Sequence, residues 1–113
     1  HGNGTQTRDF VHVDDVCRAI FACLEYKSSN ENQLIFNIAS QQSTTLLELI
    51  RLINRILSED TNMSPIQPLF SEARDGDIHH SLGSIARIRT ALAWEPTIQL
   101  TEGLSAMIQQ GRD

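Results

Sequence analysis

The residues of this 113-residue chain that could do chemistry are its histidines, cysteines, arginines and carboxylates and a lone tyrosine. His79 and His80 are adjacent, and His12 lies far from both. No Cys-x-x-Cys or His-Glu-x-x-His spacing occurs, so no metal centre is expected. Cys17 and Cys23 lie on a stretch of helical period, about 600° of rotation apart, and cannot bridge to each other. They read as two small buried apolar residues in a reducing compartment. Arg8 precedes Asp9 and lies near Asp14, which by itself reads as a surface ion pair worth about 0–1 kcal/mol. Arg74 and Asp77 share one Gly-containing loop and by themselves read as solvated polar groups. Gln6 and Asn37 read first as turn and strand-end hydrogen bonders. Gly2-Asn3-Gly4 lacks the third glycine and the preceding strand that a dinucleotide-binding turn needs.

These residues must be positioned by short elements. Asp9 to Val13 alternates and is β-branched, which predicts a strand. Asp14 or Asp15 should then cap a helix whose apolar stripe is Val16, Ala19, Ile20, Cys23 and Leu24. Ser28 to Asn32 reads as a polar loop, and Leu34 to Ala39 as a buried strand. Thr45-Leu46-Leu47-Glu48 has capping-box spacing and opens a helix with Leu46, Leu49, Ile50, Ile53 and Leu57 on one face, ending near Asp60. Pro65 and Pro68 hold an extended segment, with an edge strand expected around Ile66 to Phe70. Ser71 to Gly83 is polar and should be irregular. Ser84 should cap a short helix carrying Ile85, Ile88 and Leu92, stopped by Trp94-Glu95-Pro96, with Trp94 as a core anchor. Thr101 should cap a last helix carrying Leu104, Met107 and Ile108. The reading is α/β, short strands with about four helices.

Hydrophobic content is 40% and the formal net charge is −5. The sign argues against a general nucleic-acid surface. No apolar run reaches the roughly 20 residues of a membrane span, and no signal-peptide pattern opens the chain. His1-Gly2-Asn3-Gly4 reads as the middle of a longer protein, and a cytoplasmic setting is expected.

Several stretches, in order, resemble the extended short-chain dehydrogenase/reductase family of NAD-dependent epimerases and dehydratases. Gly2 to Val16, with Arg8-Asp9-Phe10, resembles the family's turn, Arg-Asp-aromatic, strand and Asp-capped helix. Phe36-Asn37-Ile38-Ala39-Ser40 resembles its Asn-Ile-Gly-Ser strand end. Arg74-Asp75-Gly76-Asp77-Ile78-His79-His80-Ser81-Leu82, then Leu92-Ala93-Trp94-Glu95-Pro96, resembles Arg-Pro-Gly-Asp, His-Ser-Leu and Leu-Gly-Trp-x-Pro. Leu100-Thr101-Glu102-Gly103-Leu104 is similar to the family's Leu-x-Glu-Gly-Leu helix start. The first of the loop strings leans toward UDP-glucose and UDP-N-acetylglucosamine 4-epimerases. Three departures stand out: Asp75 for Pro, Ala39 for Gly, and Ala93 for a Gly at a left-handed helix end.

The resemblance implies that residues 1–113 are the C-terminal, nucleotide-sugar-binding portion of an extended Rossmann-type enzyme, with residues 10–40 packing on the cofactor domain. It puts Arg8 and Arg74 on the diphosphate of a UDP-sugar, a role suited to a planar cation with forked donors. Asp77 would accept hydrogen bonds from the ribose hydroxyls, with Gln6 and Asn37 as weaker candidates. Tyr26-Lys27 are neighbours, so they cannot form the family's Tyr-x-x-x-Lys pair one helical turn apart. No catalytic or NAD-binding residue is therefore expected in these residues. NAD would belong to an upstream Rossmann domain, and the chain alone would be inactive. Orphaned apolar faces would favour a homodimer or domain-swapped self-association. A decarboxylase or dehydratase of the same family, or a non-catalytic nucleotide-sugar-binding module, is the alternative.

Overall fold

A computed structural model describes residues 1–27, 35–60 and 63–111. The order is β1 (Thr7–Arg8), α1 (Val13–Glu25), β2 (Thr44–Thr45), α2 (Leu46–Asp60), α3 (Ala86–Leu92) and α4 (Leu100–Gln110). The two strands pair antiparallel, Thr7 opposite Thr45 and Arg8 opposite Thr44. The α/β class and four helices among the described residues match expectation.

α2 starts and ends where the pattern put it, but the first strand and the other helices start elsewhere. The strand is Thr7–Arg8, not Asp9 to Val13, because only Thr7 and Arg8 find a partner in β2. The helix begins earlier than expected, so His12 is its N-cap and its Nδ1 accepts from the Asp14 N–H at 3.1 Å. Asp15 caps nothing on its own helix. Its carboxylate instead accepts from Thr97 N, Thr97 Oγ1 and Ile98 N at 2.9–3.0 Å, and from Arg18 Nη2 at 2.7 Å. Residues 35–39 and 66–70 form no strand, since no neighbouring strand offers them a ladder. The loop expected over Ser28 to Asn32 lies outside the described residues, as does Leu34.

The capping box at α2 forms in both directions. Thr45 N donates to Glu48 Oε2 at 2.7 Å, and Glu48 N to Thr45 Oγ1 at 3.1 Å. The other expected caps are weaker. Ser84 Oγ reaches Ala86 N only at 3.4 Å, and Gln99, not Thr101, is the uncapped start of α4. Ala93 takes the left-handed conformation, φ 51°, that closes α3 onto Arg89 O.

One core cluster joins Ala19, Ala39, Ile85, Ile88 and Trp94, with Phe36, Ile38 and Leu92 packed on it. Trp94 is an anchor as expected, and its Nε1 donates to Asp15 O at 3.0 Å. Arg18 lies over the Trp94 ring, 5.9 Å from its centroid. Beyond this cluster, Ile56 of α2 is 3% exposed, a core position that the expected α2 face omitted. On α1 the expected stripe is only half right. Ala19 is buried, while Ile20 and Leu24 are exposed with Val13, Phe21 and Cys17. The molecule is a slab of 55 × 38 × 18 Å with a radius of gyration of 17.3 Å. A compact chain of this length would measure about 13 Å.

Two outcomes follow. Ala93→Gly should raise stability by about 0.5–1 kcal/mol in thermal unfolding, because glycine takes positive φ without strain. For Asp15, burial raises the carboxyl pKa, but the Arg18, Ile98 and Thr97 hydrogen bonds outweigh it and hold it at about 2, against 3.8 unperturbed. A depressed carboxylate stabilises the fold above its unfolded pKa and loses that contribution as pH falls through the folded one. Acid denaturation between about pH 4 and 2 should therefore flatten in Asp15→Asn, which should also unfold about 2–3 kcal/mol more easily at pH 7.

Candidate functional site

The sequence-distant residues meet on one surface. β1 is gripped on its open side by the loop that follows residue 71. Thr7 N donates to His79 O at 2.8 Å, and Ser81 N donates to Thr7 O at 3.2 Å. This seats Arg8, whose Nη2 lies 3.1 Å from Asp77 Oδ1, 69 residues away in sequence. Arg8 Nη1 donates to the carbonyls of Thr7 and Ile78. The ion pair expected of Arg8 therefore forms with Asp77, rather than with Asp9 or Asp14. A turn at Asp75 and Gly76, with Gly76 at φ 79°, lets Asp77 N donate to Arg74 O at 3.1 Å. Arg74 is thereby held beside Asp77, and its guanidinium has no partner among the described residues.

The donor arithmetic leaves binding capacity. Arg8 commits both Nη1 hydrogens and one Nη2 hydrogen, which leaves Nε–H and the second Nη2 hydrogen. Asp77 Oδ2 accepts no hydrogen bond among the described residues. The surface thus offers two guanidiniums and one carboxylate oxygen, Arg8 from the half-buried β1 and Arg74 and Asp77 from the exposed loop after residue 71. That set can hold a dianion beside a vicinal diol.

The weaker candidates do not join it. Gln6 is 6% exposed, and its Nε2 donates to His1 O at 2.8 Å, an internal turn bond. Asn37 is exposed and makes no contact with Arg8, Arg74 or Asp77. The glycines at the start do not form a phosphate cradle. Gly4 has φ 79°, but a Cβ there would lie 2.8 Å from Leu47 Cγ, so side chain fills the space a pyrophosphate would need. The turn leads into a strand rather than a helix N-terminus, so it does not fit a dinucleotide pyrophosphate. Tyr26 ends α1 in an edge-on contact with Phe36, centroids 5.8 Å apart, with Lys27 directly after it. No group of three metal-ligating side chains occurs among the described residues.

The family model described as GDP-mannose 4,6 dehydratase matches residues 1–107. The chain belongs to the NAD-dependent epimerase/dehydratase family. Family relatives match it end to end but are far longer. UDP-glucuronic acid decarboxylase 1 of Arabidopsis thaliana is 28% identical over 100% of this chain and 24% of its own length. The UDP-glucose 4-epimerase of Thermotoga maritima, solved with UDP-glucose, superposes with a TM-score of 0.83 at 32% identity, over 98% of this chain and 33% of that one. The UDP-glucuronic acid 4-epimerase of Bacillus cereus, solved with UDP-glucuronic acid and NAD, has a TM-score of 0.78 at 30% identity, over 96% and 34%. The chain thus spans about a quarter to a third of these family members. Its fold is that of their C-terminal part.

Sequence reasoning missed two of this family member's site-shaping contacts. Asn54 forks onto Ile66, donating to its carbonyl at 3.0 Å and accepting its N–H at 2.8 Å, which pins the segment leading to Arg74 onto α2. A carboxamide beside the apolar Ile53 was the available signal. Asp9 is the second. Burial raises its pKa, but bonds from Ser40, Gly83 and Gln41 overcome that and hold it below 3.8.

The Arg8 and Asp77 side chains are 29% and 37% exposed, so their pair is weak in water. A double-mutant cycle on thermal stability should return a coupling of about 1 kcal/mol or less that shrinks with added salt.

Proposed function

We propose that this chain is the nucleotide-binding side of an NAD-dependent UDP-sugar 4-epimerase. Arg8 and Arg74 neutralise the diphosphate and Asp77 takes the ribose hydroxyls. The observation that carries this is the convergence of Arg8, Asp77 and the Arg74 turn, with unspent donors and acceptors, on one open surface. The UDP-sugars solved with family members of the same fold support it. Two guanidiniums facing one diphosphate gain more than two lysines would, because each can present parallel N–H donors to phosphate oxygens. In the full-length enzyme, NAD held by a separate domain would supply hydride exchange at the sugar, and this chain's part is to hold the other end of the substrate still.

The exposed stripe of α1, Val13, Cys17, Ile20, Phe21 and Leu24, supports a docking face for that domain. A slab 18 Å thick has too little interior to bury it. Exposed as it is, the same stripe would drive self-association of the isolated chain. Cys17 and Cys23 are both free thiols, which supports a cytoplasmic setting, and no helix among the described residues is long and apolar enough to cross a membrane.

The end-to-end match to a UDP-glucuronic acid decarboxylase favours a second reading, in which the same clamp serves decarboxylation instead of epimerisation. Incubation of the natural full-length protein with UDP-glucose and with UDP-glucuronic acid separates the two: a 4-epimer means epimerase, loss of carbon dioxide means decarboxylase. The site itself is tested by calorimetric titration of UDP into the full-length protein and its Arg74→Ala variant. Binding should weaken by about 1.5–3 kcal/mol, the worth of a charge-assisted bond. Equal binding would remove Arg74 from the site, and no binding by either would overturn the nucleotide-sugar reading.

A further inference from the structure

Residues 71–82 are all exposed, so burial does not set where Asp77 and Arg74 stand. Hydrogen bonds do, and from Asp77 onward they run to three consecutive residues. Thr7 holds His79 and Ser81 through its backbone, and its Oγ1 lies 3.0 Å from His80 Nδ1. Arg8 holds Asp77 and Ile78. Asp9 Oδ2 accepts from Gly83 N at 3.1 Å, where the loop enters the core. The first two grips lie in water, where each is worth little. The third is different in kind.

The Asp9 carboxylate is half-buried and joins three segments. Oδ1 accepts from Ser40 N at 2.7 Å and from Ser40 Oγ, while Oδ2 accepts from Gln41 N at 3.0 Å as well as from Gly83 N. Its neighbours are rigid. Ala39 is 6% exposed, Ile85 is fully buried, and a Cβ on Gly83 would sit 2.4 Å from Ala39 Cβ. Gln41, the donor of one of these bonds, takes φ 60°, a strained choice for a non-glycine residue. We infer that Asp9 is a positioning residue for the nucleotide clamp, carrying the order of the core through Gly83 to the loop that presents Arg74 and Asp77. The inference rests on those residues binding the nucleotide.

The chemistry makes the role specific to a carboxylate. Each oxygen serves two donors, so an amide must turn its NH₂ toward one donor pair and leave it unmet. In Asp9→Asn the loop loses its tie at Gly83 or the 40–41 turn loses its own. Asp15 is the matched control, a buried carboxylate tied to residues 97 and 98 and not to the loop.

The test is UDP titration by calorimetry into the full-length protein, at a temperature where every variant is folded by circular dichroism. Asp9→Asn should weaken UDP by about tenfold, the size of one charge-assisted bond, and should speed hydrogen exchange at Gly83 N–H. Asp15→Asn should lose stability with UDP affinity unchanged. Ser40→Ala, the milder variant, should weaken UDP by roughly two- to fivefold, and Ser40→Thr should restore it by returning the hydroxyl. Were Asp9→Asn and Asp15→Asn to weaken UDP equally, or Ser40→Ala to bind as wild type, the positioning role would be wrong while the clamp stood. Were Arg74→Ala to bind UDP as wild type, the clamp would fail and the positioning role with it.

Discussion

A carboxylate removed from water must be met by enough donors to replace its hydration, or it forces its own protonation. Asp15 is fully buried and meets that demand with Arg18, Thr97 and Ile98. Much else hangs on this one group. It ties the first turn of α1 to the segment between α3 and α4, while its backbone carbonyl receives the Trp94 indole N–H. Arg18 also donates to Glu95 O at 2.7 Å, so the same helix turn fastens the stretch after α3 at several points. Trp94 can then complete the cluster of Ala19, Ile85 and Ile88. A core this small relies on polar ties to hold its members in register.

Asp9 repeats the device nearer the surface. Both carboxylates follow or enter an element's end and reach across to backbone N–H groups that no helix or ladder satisfies. In each case the donors outweigh the penalty of burial and the group stays ionised. The two ties serve different ends. Asp15 organises interior packing, while Asp9 hands that order to an exposed loop. An unburied binding loop gains definition only from hydrogen bonds, and exposed bonds alone define it poorly.

The flat shape and the apolar stripe on α1 belong together. A slab has two faces and little interior, so an amphipathic helix lying on it can bury only one side. Ala19 faces in, and Ile20, Phe21 and Leu24 face out. The proposed nucleotide clamp draws Arg8 from β1 and Arg74 and Asp77 from the exposed loop after Ser71.

Much was legible from local chemistry. The α2 capping box, the end of α3 ahead of Trp94-Glu95-Pro96, the irregular loop after Ser71 and the family motifs around Arg8, Arg74 and Asp77 all depend on residues close together in sequence. Backbone sterics and short-range hydrogen bonds decide such features, so spacing reveals them. Strand placement was not legible, because a β-branched run becomes a strand only if a partner's ladder lies beside it. Neither was the buried side of α1, where apolar residues occupy both faces and the rest of the molecule selects one. The acidic residues at the start of α1 looked like caps, and the fold used Asp15 instead to bind backbone 82 and 83 residues away. The sequence by itself determined the family and the kinds of side chain at the site. Only tertiary structure decided that Arg8 meets Asp77, that Gln6 is spent inside a turn, and that Asp9 holds the loop, because long-range hydrogen bonds depend on where the chain returns.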